Sequence, residues 1–245
     1  MNAIAVAKRL TGICAAAVAL TVSSPVMARD FALLGGTSGS NKSQYSYLGL
    51  VVPVSMQSLD ADGWLGRFWL SYQDFNYNKT PTQRIDVTGP AVEAAIGYQK
   101  FFSKDTRLTG YLGALHRNLD AKPDDPLTNV ESKRSGAKAQ VEFTTKFTQS
   151  FGLSGIASHV SGIDATWARL RPAWHINDYL NIGPEFVSSR GKDYNNSQVG
   201  LFVEGIRLGQ QSQIGLKLGR EHNSRGGGTS STNADYAGVS FSVRF

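Results

Sequence analysis

The residues best suited to chemistry in this chain are thinly spread. Its four histidines, His116, His159, His175 and His222, stand far apart. None belongs to an HExxH or cysteine-containing pattern, and a zinc site needs several such ligands brought together. Each reads as a strand-end or loop residue. Ser158-His159 is the best nucleophile–base candidate and would suit acyl hydrolysis. Adjacent residues of a strand point to opposite faces, which argues against direct partnership, although a triad can be assembled across strands. No GxSxG elbow or P-loop is present. Gly226-Gly227-Gly228 reads as flexible loop. Lys122-Pro123-Asp124-Asp125-Pro126 carries adjacent carboxylates, but too few oxygen ligands at set spacing for calcium, and reads as a solvated turn. No metal or other cofactor is expected.

A second group of candidates is periodic. Arg67, Trp69, Glu93, Gln99, Lys138, Gln140, Glu142, Arg169, Arg171, Glu185, Lys217 and Glu221 recur at alternate positions of short segments. Apolar side chains fill the positions between them. Residues 134–147 set Ala137, Ala139, Val141 and Phe143 against Lys138, Gln140 and Glu142. Residues 91–101 set Val92, Ala94, Ile96 and Tyr98 against Glu93, Ala95, Gly97 and Gln99. Residues 212–221 set Ile214, Leu216 and Leu218 against Gly215, Lys217 and Glu221. In 63–77, Trp64, Phe68, Leu70 and Tyr72 oppose Arg67, Trp69, Ser71 and Gln73. A period of two is the mark of a β-strand.

The elements that would position these residues are therefore strands. Further ones are expected at 30–38, 44–54, 105–117, 151–161, 164–175, 179–188, 195–208 and 235–245. Short connections alternate with four longer polar linkers, Asn78–Gly89, Asn118–Lys133, Ser189–Asn195 and His222–Ala234. Short turns on one side and longer loops on the other are the pattern of an antiparallel transmembrane β-barrel of the outer membrane. An even strand number gives about twelve strands, with ten as the alternative. A soluble sandwich would also alternate, but its charged faces would be buried and its apolar faces wet. Pro53, Pro172 and Pro184 fall inside proposed strands, where proline is poorly tolerated. Tyr45, Tyr47, Trp64, Tyr77, Phe101, Phe102, Phe147, Phe151, Tyr179 and Tyr236 lie near strand ends and suggest interfacial girdles.

The bulk composition agrees. Hydrophobic residues make up 41% and mean hydropathy is −0.23. After the first thirty residues no long apolar run remains, which excludes a helical membrane protein but not a barrel. Lys8, Arg9, the apolar run Leu10–Val22 and the small residues Val26 and Ala28 form a signal-peptide pattern, with cleavage expected after Ala28. Residues 29–245 would then be a single barrel domain. The one cysteine, Cys14, falls in the leader, so disulfide and thiol chemistry are not expected in the rest. A net charge of +6, dispersed along the chain, gives no argument for nucleic acid. The chain ends on Phe245 after the alternating strand Ala237, Val239, Phe241, Val243. Such an ending resembles the C-terminal signal read by outer-membrane barrel insertion machinery.

The twelve periodic residues would face the lumen. Two readings stay open for them. Opposite charges could pair and fill the interior, a purely structural role. Alternatively they line a polar conduit or sugar-contacting surface, with Trp69 and Trp167 as stacking platforms.

Several segments carry a resemblance. Tyr45–Pro53 (YSYLGLVVP), Gly97-Tyr98-Gln99, Pro123–Pro126 (PDDP) followed by Ser135–Phe143 (SGAKAQVEF), and Ile182–Phe186 (IGPEF) occur in order over most of the chain. Together they resemble the BcsS family of cellulose-biosynthesis proteins. The resemblance implies a non-enzymatic outer-membrane barrel associated with cellulose or exopolysaccharide production, as conduit or anchor. Its implied partners are outer-membrane lipids, cellulose or a related glucan, and other components of cellulose secretion. A lipid A-modifying barrel enzyme built on Ser158, His159 or His116 is the alternative class, and a small-solute porin a third.

Overall fold

The computed structural model describes residues 30–54, 58–80, 82–124, 132–191, 194–225 and 231–245. The expected leader over residues 1–28 lies outside the described residues. Twelve strands follow in order: β1 (Ala32–Gly39), β2 (Ser43–Pro53), β3 (Gly63–Thr80), β4 (Gln83–Ser103), β5 (Thr106–Lys122), β6 (Ser132–Lys146), β7 (Phe151–Val160), β8 (Ala165–His175), β9 (Asn181–Gly191), β10 (Tyr194–Arg207), β11 (Ser212–Arg225) and β12 (Ser231–Arg244). Each pairs with its neighbours in sequence, and β1 closes on β12 through the antiparallel register Ala32↔Arg244 to Gly39↔Ala237. The architecture is a closed twelve-stranded antiparallel barrel. Closure gives every strand a neighbour on both sides, as a membrane demands of β-structure. Both ends of the described chain lie at one mouth, the closing end, where Phe31 stacks on Phe245 at 4.4 Å. The opposite mouth is the far end.

The outer wall is apolar. Along β4, burial alternates from Ile85 to Gln99, with Thr88 and Ala95 intermediate and the other outward side chains exposed. Phe68, Leu70, Ile96, Leu112, Val141, Val199, Leu201, Leu216 and Leu218 remain exposed around the barrel. A continuous belt of this kind needs a lipid phase, and a soluble sandwich would have buried it. Trp64, Phe102, Phe147, Trp174 and Tyr179 keep exposed rings near the closing end and form one girdle there. Trp64 meets Tyr98 edge-on, and Phe151 joins Phe147 to Trp174.

Three details refine the sequence reading. Much of the polar linkers is paired strand. β3 and β4 run to 18 and 21 residues and stay paired as far as Thr80↔Gln83. Pairing continues there because the backbone gains the same hydrogen bonds whether its outer face is apolar or polar. Among the described residues of these linkers, most belong to hairpin strands. The prolines are accommodated by interrupting single ladders. The β8–β9 pairing lapses between Leu170↔Phe186 and Trp174↔Ile182, where Pro172 and Pro184 stand. The β4–β5 pairing lapses between Thr88↔Asp120 and Ala91↔Arg117, beside Pro90. Proline has no N–H to donate. Finally, Tyr45, Tyr47 and Tyr236 are not girdle residues. They lie on the inner wall with Trp69 and Glu185, as does Tyr77, which packs on the inner cluster Ile85, Val87, Leu119 and Ala121.

Candidate functional site: the barrel lumen

Side-chain bonds that skip strands must cross the interior of a closed barrel, and two networks of them identify the lumen. In the first, Arg67 of β3 pairs with Glu93 of β4 at 3.3 Å and reaches Glu142 of β6 at 3.0 Å. Lys138 pairs with Glu93 at 2.6 Å, and Gln140 donates to Glu142 at 2.6 Å. In the second, Arg171 of β8 donates through Nε to Glu185 of β9 at 2.6 Å and through Nη1 to Glu204 of β10 at 2.8 Å. Lys217 of β11 stands 3.6 Å from Glu185, and the Tyr236 hydroxyl of β12 donates to it at 3.4 Å. The Glu185 and Glu93 side chains are 0% and 4% exposed, whereas those of Glu204 and Glu142 keep 39% and 31%. The inner members are therefore held against the wall while the outer ones meet water. Burying a carboxylate at that depth is tolerable because two cations compensate each one.

Arg171 and Glu185 also do structural work. They face each other inside the gap left by Pro172 and Pro184, so a charged side-chain bond spans the place where the backbone ladder lapses. Glu221 is held differently. It is 1% exposed and accepts from Ser40 at 2.5 Å, Ser43 and Gln198 nearby, and Asn223 at 3.1 Å. These neutral donors tie the β1–β2 turn to β10 and β11 across the interior.

Aromatic rings complete the lining. Trp69 lies between the Arg67 guanidinium, 4.5 Å from its ring, and Tyr47, stacked at 4.8 Å. Tyr45 continues the column at 5.9 Å and is 37% exposed. Trp69 is thus flanked by Arg67 and Tyr47, and its Nε1 donates to the Tyr45 hydroxyl at 3.4 Å. These rings fold back over glycines across the ladder. A β-carbon at Gly49 would fall among the ring atoms of Trp69, and one at Gly97 or Gly219 would strike Tyr111 or Tyr236. Glycine on the inner wall makes room for a ring to lie along it. Trp167 and Arg169 sit on β8 opposite this column, with the guanidinium 5.8 Å from the Trp167 ring.

The closing end carries a stopper that sequence reasoning missed. Leu59, in the turn between β2 and β3, is 9% exposed and joins Leu65 and Tyr111 in a buried cluster against which Ala32, Val51 and Ala95 pack. Gln99 donates to the carbonyls of Leu59 and Ala61 at 2.8 and 3.0 Å. From β12, one strand beyond β1, Arg244 grips Asp60 with two bonds, 2.9 and 2.7 Å, and Asp30 with one of 3.1 Å. The Ser58 hydroxyl also donates to Asp30. That bond and Arg244 hold the Asp30 carboxyl below the usual carboxylate range. Asp62 is lowered likewise, by Lys100 and by the Phe101 amide. Nothing in the local sequence around Leu59 signalled that it would turn inward, because the residues of its apolar cluster come from five strands, β1 to β5.

The hydrolase candidate does not assemble. Ser158 faces in and His159 faces out, bonded to Thr166 at 3.0 Å. His116 does bond a serine, Ser135, at 2.8 Å. Yet all four histidines use Nδ1 on the polar residue directly across a ladder, His175 on Asn181 and His222 on Asn233 included. The His116–Ser135 pair is one case of that cross-strand pattern. No carboxylate orients its other nitrogen among the described residues, as a triad requires.

A closed antiparallel barrel with a charged, aromatic interior and an apolar exterior defines the class of outer-membrane β-barrels. Solved structures agree at the level of fold. The COG4313 outer membrane channel from Pseudomonas putida F1 superposes with a TM-score of 0.63 at 11% identity, covering 91% of this chain and 97% of that one. The KdgM porin gives 0.51 at 8% identity, covering 87% and 99%. Among curated proteins no sequence matches. The family is nevertheless defined: residues 32–245 match the model for the cellulose biosynthesis protein BcsS, and the chain belongs to that family.

Proposed function

We propose that this protein is a non-enzymatic outer-membrane barrel that serves cellulose export, with its lumen as the path for a glucan chain and its closing end toward the periplasm. The lining of the lumen supports this reading best. Its charges are largely paired along the wall and its rings lie over cross-strand glycines, which leaves a polar and aromatic surface of the kind saccharides glide on. Family membership favours this over a general small-solute porin. The stopper at Leu59 favours a second reading, in which the barrel anchors the secretion machinery and nothing passes.

Both readings predict that a deletion strain loses secreted cellulose, measured by dye binding. Normal secretion in that strain would sink both. Complementation with Ser240→Trp, which places a bulky ring on the inner wall, separates them. Secretion is lost if the glucan passes through the lumen and restored if the barrel only anchors.

A further inference from the structure

The second ionic network is unbalanced. Three cations, Arg169, Arg171 and Lys217, share two carboxylates, Glu185 and Glu204. Arg171 and Lys217 take both of them. Arg169 feels the charges of Arg171, Glu185 and Glu204 but forms no ion pair among the described residues. A guanidinium half-buried beside a like charge is poorly compensated, and an anion brought to it gains most of what a missing carboxylate would supply.

Its surroundings suggest what carries that anion. Trp167, two residues earlier on the same inner face, presents a half-buried ring 5.8 Å from the Arg169 guanidinium. Across the two ladders from Trp167 stand Ser158 and Ser189, both inward and partly exposed. On the facing wall, Tyr47 lies within electrostatic reach of Arg169. A fixed positive charge, an aromatic face and two hydroxyls within one patch match the three parts of an acidic sugar. The charge meets a carboxylate, the ring meets the apolar face of a pyranose, and the hydroxyls meet its hydroxyl rim.

We infer that Arg169, Trp167, Ser158 and Ser189 form a lumenal subsite for a uronic-acid unit of a saccharide. The site stands on the charges of the lumen alone and needs no glucan transport. Its failure would leave the export reading intact, since a neutral glucan requires no guanidinium.

The test is a tryptophan-fluorescence titration of the purified barrel in detergent micelles. The probes are a β-1,4-linked glucuronic acid tetrasaccharide and neutral cellotetraose. The wild type should bind the acidic probe more tightly. Arg169→Gln should weaken the acidic probe by about tenfold or more, the scale of one charge-assisted hydrogen bond, and leave cellotetraose unchanged. Arg169→Lys, which keeps the charge, should retain most of the affinity. That variant separates loss of the site from loss of the fold, which heat-dependent gel mobility checks directly. Trp167→Phe should reduce the signal for both probes. Equal affinity for the two probes, an unchanged Arg169→Gln, or no saturable binding of the acidic probe would each overturn the inference.

Discussion

Replacing Glu185 by glutamine tests the ionic lining most sharply. The side chain is 0% exposed, bonded to Arg171, and 3.6 Å from Lys217. It also bridges the β8–β9 gap at Pro172 and Pro184. Glutamine keeps the shape and one acceptor but removes the charge, leaving the buried Arg171 and the half-buried Lys217 without it. Breaking a buried pair in this way costs about 3–5 kcal/mol, and the retained acceptor places the expectation near the lower bound. Glu204 provides the internal comparison. It pairs with the same Arg171 at 2.8 Å, but its side chain is 39% exposed. Glu204→Gln should therefore cost about 1 kcal/mol or less, because solvent already screens the pair. Urea unfolding in detergent micelles, followed by tryptophan fluorescence and linear extrapolation, measures both. A Glu185→Gln variant within about 1 kcal/mol of wild type would refute the argument. So would a Glu204→Gln variant that loses as much as Glu185→Gln.

Further expectations concern the stopper and the aromatic column. Arg244→Gln removes the clamp on Asp60 and Asp30 and should lower amide-exchange protection at Ala61, whose N–H donates to Ser58; unchanged protection would mean that Gln99 and Leu59 hold the turn alone. Because the Asp30 carboxyl is depressed in the folded state, its contribution is fully present above the unfolded carboxylate value and disappears as pH falls through the folded one. Protection of residues 58–62 should thus persist from neutral pH through the ordinary carboxylate range and fall only below it, and an earlier loss would count against the clamp. Gly49→Ala should displace the Trp69 ring and destabilise the barrel by about 1–3 kcal/mol, the usual cost of overpacking. A shift in Trp69 fluorescence should accompany the loss, and wild-type stability would show that the ring has room elsewhere.

The barrel itself was legible in the chain because alternation is a local property. Phe68 and Leu70 against Arg67 and Trp69, or Val92 and Ile96 against Glu93 and Gln99, each identify a strand with a wet and an apolar face, and parity of the turns leads to twelve. Residues such as Arg67, Glu93, Lys138, Arg171, Glu185 and Lys217 follow from the same period. Which of them meet is a different matter. Arg67 reaches Glu142 from β3 to β6, and Tyr236 reaches Glu185 from β12 to β9. Such chords depend on closure and on the register of every intervening ladder. Tyr45 and Tyr47 escaped because β2 alternates weakly: Gly49 leaves its inner face blank where the Trp69 ring of the next strand lies. The inward turn at Leu59, the ladder gap spanned by Arg171 and Glu185, and the uncompensated charge of Arg169 are likewise sums over distant strands. Period along the chain tells each side chain which face it occupies; only the closed wall decides what stands across from it.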